Sequence, residues 1–244
     1  MPILPVQVAD GLIFSGGGGG SPVNATFGSN VHAGNFIIAH FIDSYNATTP
    51  TSSSYTISDT MSNIWTQLFF YYSSVGGTQQ VWYCFANSTG PDTVSVAGGE
   101  YGPYFNGVEA AEFSGVGLPD QYALPIWNGP INPFTSNPIT TTQTHELIIS
   151  FGSIVSSGGF AVGPPVSTVV APMLPLTLSG YHNPSDLLDH YYAQMGYQIV
   201  STIQIGYIAS QGNPGSDNGT VGIASFFTGI TPTTGFVVIP TFFQ

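Results

Sequence analysis

The sequence predicts an all-β protein: a jelly-roll-like antiparallel β-sandwich with one short helix and extended apolar terminal arms. Three observations lead there. The apolar runs are short, rich in β-branched and aromatic residues, and separated by Gly, Pro, Asn and Ser clusters at the spacing of a sandwich. Hydrophobic residues make up 42% of the 244 positions and aromatics 14%, enough for a large core. Charged residues are only 5%, which excludes a disordered acidic chain.

Residues 1–22 read as an apolar arm on a tether. Ile3, Leu4, Val6, Val8, Leu12, Ile13 and Phe14 are followed by glycine at every position from 16 to 20. Such an arm cannot bury itself locally, so it is expected on a sheet edge of its own body or of a neighbouring subunit. The sandwich domain spans residues 23–230. Residues 35–42 form a near-continuous apolar run, the pattern of a strand covered on both faces. Residues 54–58 and 63–72 are further strands, and the latter forms a hairpin with 79–86 around Gly76 and Gly77. Residues 92–96, 107–113, 145–151, 197–203 and 220–227 complete the strands. Asn183, Pro184 and Asp186 have the form of an N-cap, a first-turn proline and a first-turn acid, which predicts a helix to Met195 ending at Gly196. A strand is the alternative there. Residues 231–244 form a C-terminal strand or arm carrying Phe236, Val238 and Phe242.

The chain has no lysine and no arginine against twelve Asp and Glu, a net charge of −12. It cannot neutralise phosphates, so nucleic acid and anionic lipid are repelled. Walker-type phosphate cradles, arginine fingers and lysine Schiff bases are excluded with the missing side chains. A buried carboxylate must lean on backbone N–H groups, a histidine, a hydroxyl or a metal ion. Cys84, the single cysteine, lies in an apolar run and reads as a buried thiol without a disulfide partner. No signal peptide is legible at Met1 to Pro5. Residues 147–185 carry no formal charge, but Pro164, Pro165, Pro172 and Pro175 break any membrane span.

Several segments resemble, in order, a diffuse group of bacterial and bacteriophage β-sandwich domains found in secreted and tail-associated proteins. They are Gly34-Asn35-Phe36-Ile37-Ile38-Ala39, Asp59 with Asn63 and Trp65, Val81-Trp82-Tyr83-Cys84, Glu112 with Ser114 and Gly115, Thr140 to Thr142 with Glu146-Leu147, and Ile223-Ala224-Ser225-Phe226. The resemblance covers most of residues 23–228. It implies a jelly-roll-like sandwich in a structural or adhesive setting and carries over no catalytic residues. The absence of basic residues departs from the group's pattern.

Candidate chemistry is sparse. Glu109 or Glu112 with Glu100 or Asp120 would give a carboxylate-pair glycosidase, although a carboxylate accepting backbone N–H bonds is the simpler reading. One of Glu109 and Glu112 is expected to face inward. His182, Asp186 and His190 recur every four residues and would line up for zinc on a helix, with Pro184 interrupting the alignment. His32 and His40 are expected on one strand face as core or interface imidazoles. Gly215 to Gly219 reads as a turn. Tyr101, Tyr104 and Trp127, in the segment 100–105 and a loop at 120–134, are candidates for stacking on sugars. Trp65, Trp82 and Tyr122 are weaker ones. Asn24, Asn46, Asn87 and Asn218 begin Asn-x-Ser/Thr sequons.

The sequence therefore predicts a non-enzymatic structural subunit of an extracellular or virion-surface assembly, without a cofactor and without membrane insertion. Its partners would be copies of itself or other structural proteins, docked through both arms by strand addition. A carbohydrate-binding adhesion module is the alternative, and a glycosidase ranks third.

Overall fold

In the computed structural model, residues 2–14, 22–43, 49–74, 77–98, 105–128, 133–156, 172–176, 179–182, 190–211 and 218–229 are described. Their strands are β1 (Leu4–Phe14), β2 (Val23–Thr26), β3 (Phe36–Asp43), β4 (Tyr55–Asp59), β5 (Thr66–Ser73), β6 (Gly77–Phe85), β7 (Thr93–Gly98) and β8 (Phe105–Ser114). There follow β9 (Val116–Asn128), β10 (Phe134–Thr135), β11 (Glu146–Ser156), β12 (Leu174–Pro175), β13 (Ser179–His182), β14 (His190–Val200), β15 (Ser210–Gln211) and β16 (Asn218–Thr228). All pairings between them are antiparallel. A single 3-10 turn, Ser52–Ser54, is the one helical element among the described residues.

The strands form four sheets: β1-β8-β3-β6-β5, β12-β14-β11-β16-β9 with β13 also on β14, β2-β7-β4, and β10-β15. Side-chain alternation along β3 shows how they stack. Phe36 and Ile38 join Phe113, Leu147, Phe151 and Phe226 in one core layer, between the first and second sheets. Ile37, Ala39 and Phe41 face the other way, onto Val23, Tyr55, Val94 and Val96 of the β2-β7-β4 sheet. β3 is buried along its whole length because both of its faces are covered, as its sequence predicts. A third layer, with Phe134, Ile148, Val221 and Ile223, lies under β10 and β15 on the outer side of the second sheet. The all-β antiparallel expectation holds, and the sandwich carries a smaller sheet on each outer face.

Two sequence expectations are corrected, and a third, which left the N-terminal arm on its own body or on a neighbour, is decided. Residues 190–196 are not helical: β14 starts at His190 and pairs with β11 over its full length. Tyr191, Tyr192 and Tyr197 suit that pleated surface, and the ladder with β11 outweighs a local capping signal. The expected loop at 120–134 is strand up to Asn128, because β9 is a sheet edge that tolerates Pro119 and Pro125 through register shifts against β16. The N-terminal arm is an edge strand of its own body: β1 pairs with β8 from Leu4↔Ser114 to Phe14↔Phe105. Gly11 is required there, since a Cβ would meet the Asn24 carbonyl oxygen at 1.7 Å.

The two large sheets share two ends. Gly115 turns the chain between β8 and β9 at one end, with φ of 72°. Asp43, where β3 stops, marks the other.

Candidate functional site

At the Gly115 end, carboxylates and amides hold the chain as basic residues would elsewhere. Glu112 is fully buried. Its Oε1 accepts from the His32 N–H (2.9 Å) and Asn35 Nδ2 (2.6 Å), and its Oε2 accepts from Gln7 Nε2 (2.6 Å). Gln7 Oε1 in turn accepts from the Ser29 N–H at 3.1 Å. One carboxylate thus ties β1, β8 and the turn before β3. Asp59 does the same after β4: Oδ1 accepts from the N–H groups of Met61 (3.0 Å) and Asn63 (2.9 Å), and Oδ2 from Trp65 Nε1 (2.8 Å). This pattern holds Ser62 at φ 56°, a left-handed conformation that a side chain other than Asn or Asp rarely adopts. Asn63 Oδ1 accepts from the Asn87 N–H at 2.9 Å, and Asn87 Nδ2 donates to the carbonyls of Met61 and Ser62. Asn35, Asp59, Asn63, Trp65 and Glu112, which carry the sequence resemblance, are therefore folding contacts.

Two acids here hold their protons above the ordinary range. Burial raises the Asp92 carboxyl, and nearby Asp59 adds to it against a hydrogen bond from Thr60. Burial also raises Glu146, which sits beside Asp120, while the Gln143 N–H (2.8 Å) and Ser225 pull it down. Asp120 binds the Thr142 N–H (2.8 Å) and hydroxyl (2.9 Å), so the two acids fasten the 140–145 loop together.

A groove of about 580 Å³ opens beside that loop, lined by Pro2, Ile3, Gln143, Thr144, His145, Ile199, Thr228 and Gly229. His145, exposed on the loop, has φ 62°. Apolar side chains crowd the neighbouring segments: Leu4 beside Ile3, Ile199 within the groove, and Ile203 and Ile205 where the chain leaves β14. Ile205 is 85% exposed. The loop bearing it is nonetheless held in place, since Thr141 Oγ1 accepts from the Gln204 N–H (2.8 Å) and Thr140 Oγ1 from the Gly206 N–H (3.2 Å).

Toward the Asp43 end the inner core turns polar. His40 Nδ1 lies 3.2 Å from Glu109 Oε2, both fully buried, with the imidazole edge toward Phe151. Gln79 Nε2 donates to Ser153 Oγ (2.7 Å) and to Thr220 Oγ1, bridging the two large sheets. On the opposite face of β3 the Tyr55 hydroxyl donates to Asp43 Oδ2 at 2.8 Å. A carboxylate on Nδ1 orients the His40 ring as a general base is oriented, and Nε2 has no hydrogen-bond partner among the described residues. Both side chains are fully buried.

The remaining sequence candidates fall out as follows. Glu109 and Glu112 are both buried, because their strand is covered on both faces; the expectation of a single inward acid is corrected. His32 is exposed in the turn before β3 and shares no strand face with His40. Trp82 is core, Trp65 is held by Asp59, and Tyr122 stacks on Phe69. Trp127 is half-buried at the end of β9, where its backbone meets Tyr71. Cys84 is buried, and burial with Asp59 and Asp92 pushes its thiol pKa upward, away from nucleophilic use. Of the sequons, Asn24 is exposed on β2 with its Oδ1 accepting from Ser95 Oγ at 2.7 Å, and the Asn87 amide donates to the Met61 and Ser62 carbonyls. Asn46 and the turn at 215–217 lie outside the described residues, as do Glu100, Tyr101, Tyr104, Asp186, Phe236, Val238 and Phe242. Ile3 is core, Leu4, Val6 and Val8 are exposed, and Leu12, Ile13 and Phe14 stand opposite Gly107, Asn106 and Phe105 on β8. Asn218 begins β16, opposite Val155.

Among the described residues no group of three or more His, Cys, Asp or Glu could hold a metal ion, and no helix is long and apolar enough to cross a membrane. The groove, the isoleucine loop and the Gln79–Ser153–Thr220 bridge were not anticipated from sequence. The run Ile199, Ile203, Ile205, Ile208 without a charge was the available signal for the second of these. Comparisons with protein-family models, curated proteins and solved structures find no match.

Proposed function

We propose that the protein is a non-enzymatic structural subunit that assembles with copies of itself through the Gly115 end. The observation that carries this reading is the set of exposed isoleucines and leucines around the groove, on a loop that hydrogen bonds keep in one conformation. Apolar groups presented rigidly beside a concavity are what a protein interface needs, because little ordering entropy is lost on docking. The charge balance supports the reading: with no cation, the chain has no attractive charge pairing between copies beyond its histidines, so association has to rest on apolar burial. Strand addition by the N-terminal arm is not part of this proposal, since β1 already serves its own sheet. An extracellular or virion-surface setting, and the jelly-roll kinship with bacterial and bacteriophage domains, belong to the same proposal. They are supported by the sequence resemblance and by the lack of any nucleic-acid-binding charge.

The glycan-binding alternative rests on Tyr101, Tyr104 and Trp127, of which Trp127 alone lies within the described residues, half-buried at the end of β9. The test is electron microscopy with light scattering on the full chain. The expected result is discrete oligomers or filaments at micromolar concentration; a chain that stays monomeric up to its solubility limit contradicts the proposal. Saturable binding on a glycan array, lost in Trp127→Ala, would favour the alternative.

A further inference from the structure

We propose that Thr220 and Gln79 form an intramolecular ester that cross-links the two large sheets. Gln79 on β6 donates from Nε2 to Thr220 Oγ1 on β16 and, at 2.7 Å, to Ser153 Oγ on β11. The two hydroxyls lie 3.0 Å apart. All three residues are buried, and Gln79 Oε1 has no hydrogen-bond partner among the described residues. A hydroxyl held against a carboxamide in a buried site is placed for acyl transfer, since good orientation is worth an effective molarity of about 10⁵ M or more.

A threonine hydroxyl is a weak nucleophile and needs a base. His40 lies on the same inner face, with its ring toward Phe151, and its partner on β6 is Val81, two residues from Gln79. Diagonal neighbours of this kind are about 7 Å apart, within reach of rings and long side chains. Glu109 Oε2, 3.2 Å from Nδ1, holds the proton on that nitrogen, so Nε2 carries the lone pair. In the step, Thr220 Oγ1 bonds to Gln79 Cδ and the Cδ–Nε2 bond breaks. The hydroxyl proton passes through His40 to the nitrogen, which leaves as ammonia. No oxidant or cofactor is consumed. The residue inventory favours this linkage: one cysteine allows no internal disulfide, and the lack of lysine excludes a lysine–asparagine amide bond. The ester also replaces a buried group with two N–H donors by one with none, which eases the polar demand of the core. The linked positions are 141 residues apart, so the bond restricts the unfolded chain over more than half its length. The inference is independent of the assembly proposal, because it needs only one copy.

Intact-mass spectrometry of the denatured full chain tests it. The wild type should weigh about 17 Da less than its residues sum to, one ammonia having left. Thr220→Val and Gln79→Met should each restore the full mass. A peptic digest of the wild type should hold one fragment joining the peptides of residues 79 and 220, which separates in alkali as an ester does. His40→Asn should lengthen at least about tenfold the time that newly synthesised chain spends at full mass. Should the variants misfold, the wild-type mass and digest still decide. A wild type at full mass, a deficit that persists in Thr220→Val, a cross-link at Ser153 instead, or an unchanged rate in folded His40→Asn would each overturn the proposal.

Discussion

The two ends of the sandwich meet the same shortage of cations in opposite ways. At the Gly115 end the acids work as acceptors for backbone and amide donors: Glu112 for His32, Asn35 and Gln7, Asp59 for Met61, Asn63 and Trp65, Asp120 and Glu146 for the 140–145 loop. Carboxylates hold several turns there to their strands, and isoleucines and leucines are exposed beside them. Toward the Asp43 end the polar groups sit inside the core, where His40 meets Glu109 and Gln79 bridges to Ser153 and Thr220. The difference shows that a carboxylate needs no lysine or arginine to be buried. Two or three N–H donors supply the same compensation, and they fix backbone geometry as well.

The largest predicted effect breaks the first arrangement. Glu112→Ala removes the acceptor of three donors from a fully buried position, and about 4 kcal/mol of stability should be lost, read by urea denaturation. His40→Ala, at the other arrangement, removes one partner of a buried pair and leaves a void against Phe151; about 3 kcal/mol is expected in the same assay. A smaller loss from Glu112→Ala than from His40→Ala would invert the comparison.

The pH profile sharpens it. Asp92 and Glu146 hold their protons more tightly in the folded state than in the unfolded one. Their contribution is therefore full below the ordinary carboxylate range and is lost as pH rises through the raised values. The melting temperature should fall as pH rises above the ordinary carboxylate range, and Glu146→Gln, which keeps an acceptor for the Gln143 N–H, should flatten that slope. Calorimetry across this range checks both. The smallest effect belongs to Trp65→Phe, which deletes the indole donor to Asp59 but keeps a ring, and should cost about 1 kcal/mol.

Much of the fold was legible because burial on both faces writes itself as an unbroken apolar run. β3, β6 and β8 were placed within a residue or two. β9 was not, because its prolines mark a loop in one-dimensional reading, and only an edge with register shifts accommodates them. The helix expected to Met195 failed over residues 190–195 for a different reason. Local capping chemistry was real in the sequence, but β11 offers β14 a full ladder, and long-range pairing is invisible to a window of a few residues. Of the candidate site, the role of Glu112 as an N–H acceptor followed from the missing cations, whereas Asp59 stood out in the sequence only within the resemblance. Their partners could not be read, since Glu112 reaches across to residues as distant in sequence as Gln7. The groove depends on four chain segments meeting, and no local pattern reports that.

Sedimentation velocity of the wild type beside an Ile199→Asp, Ile205→Asp double variant tests the central claim most directly. Both positions are solvent-exposed, so the variant should fold with an unchanged melting temperature. The account predicts concentration-dependent association of the wild type and a monomer for the variant. Association that persists undiminished in the folded variant would contradict it, because the assembling surface would then lie elsewhere.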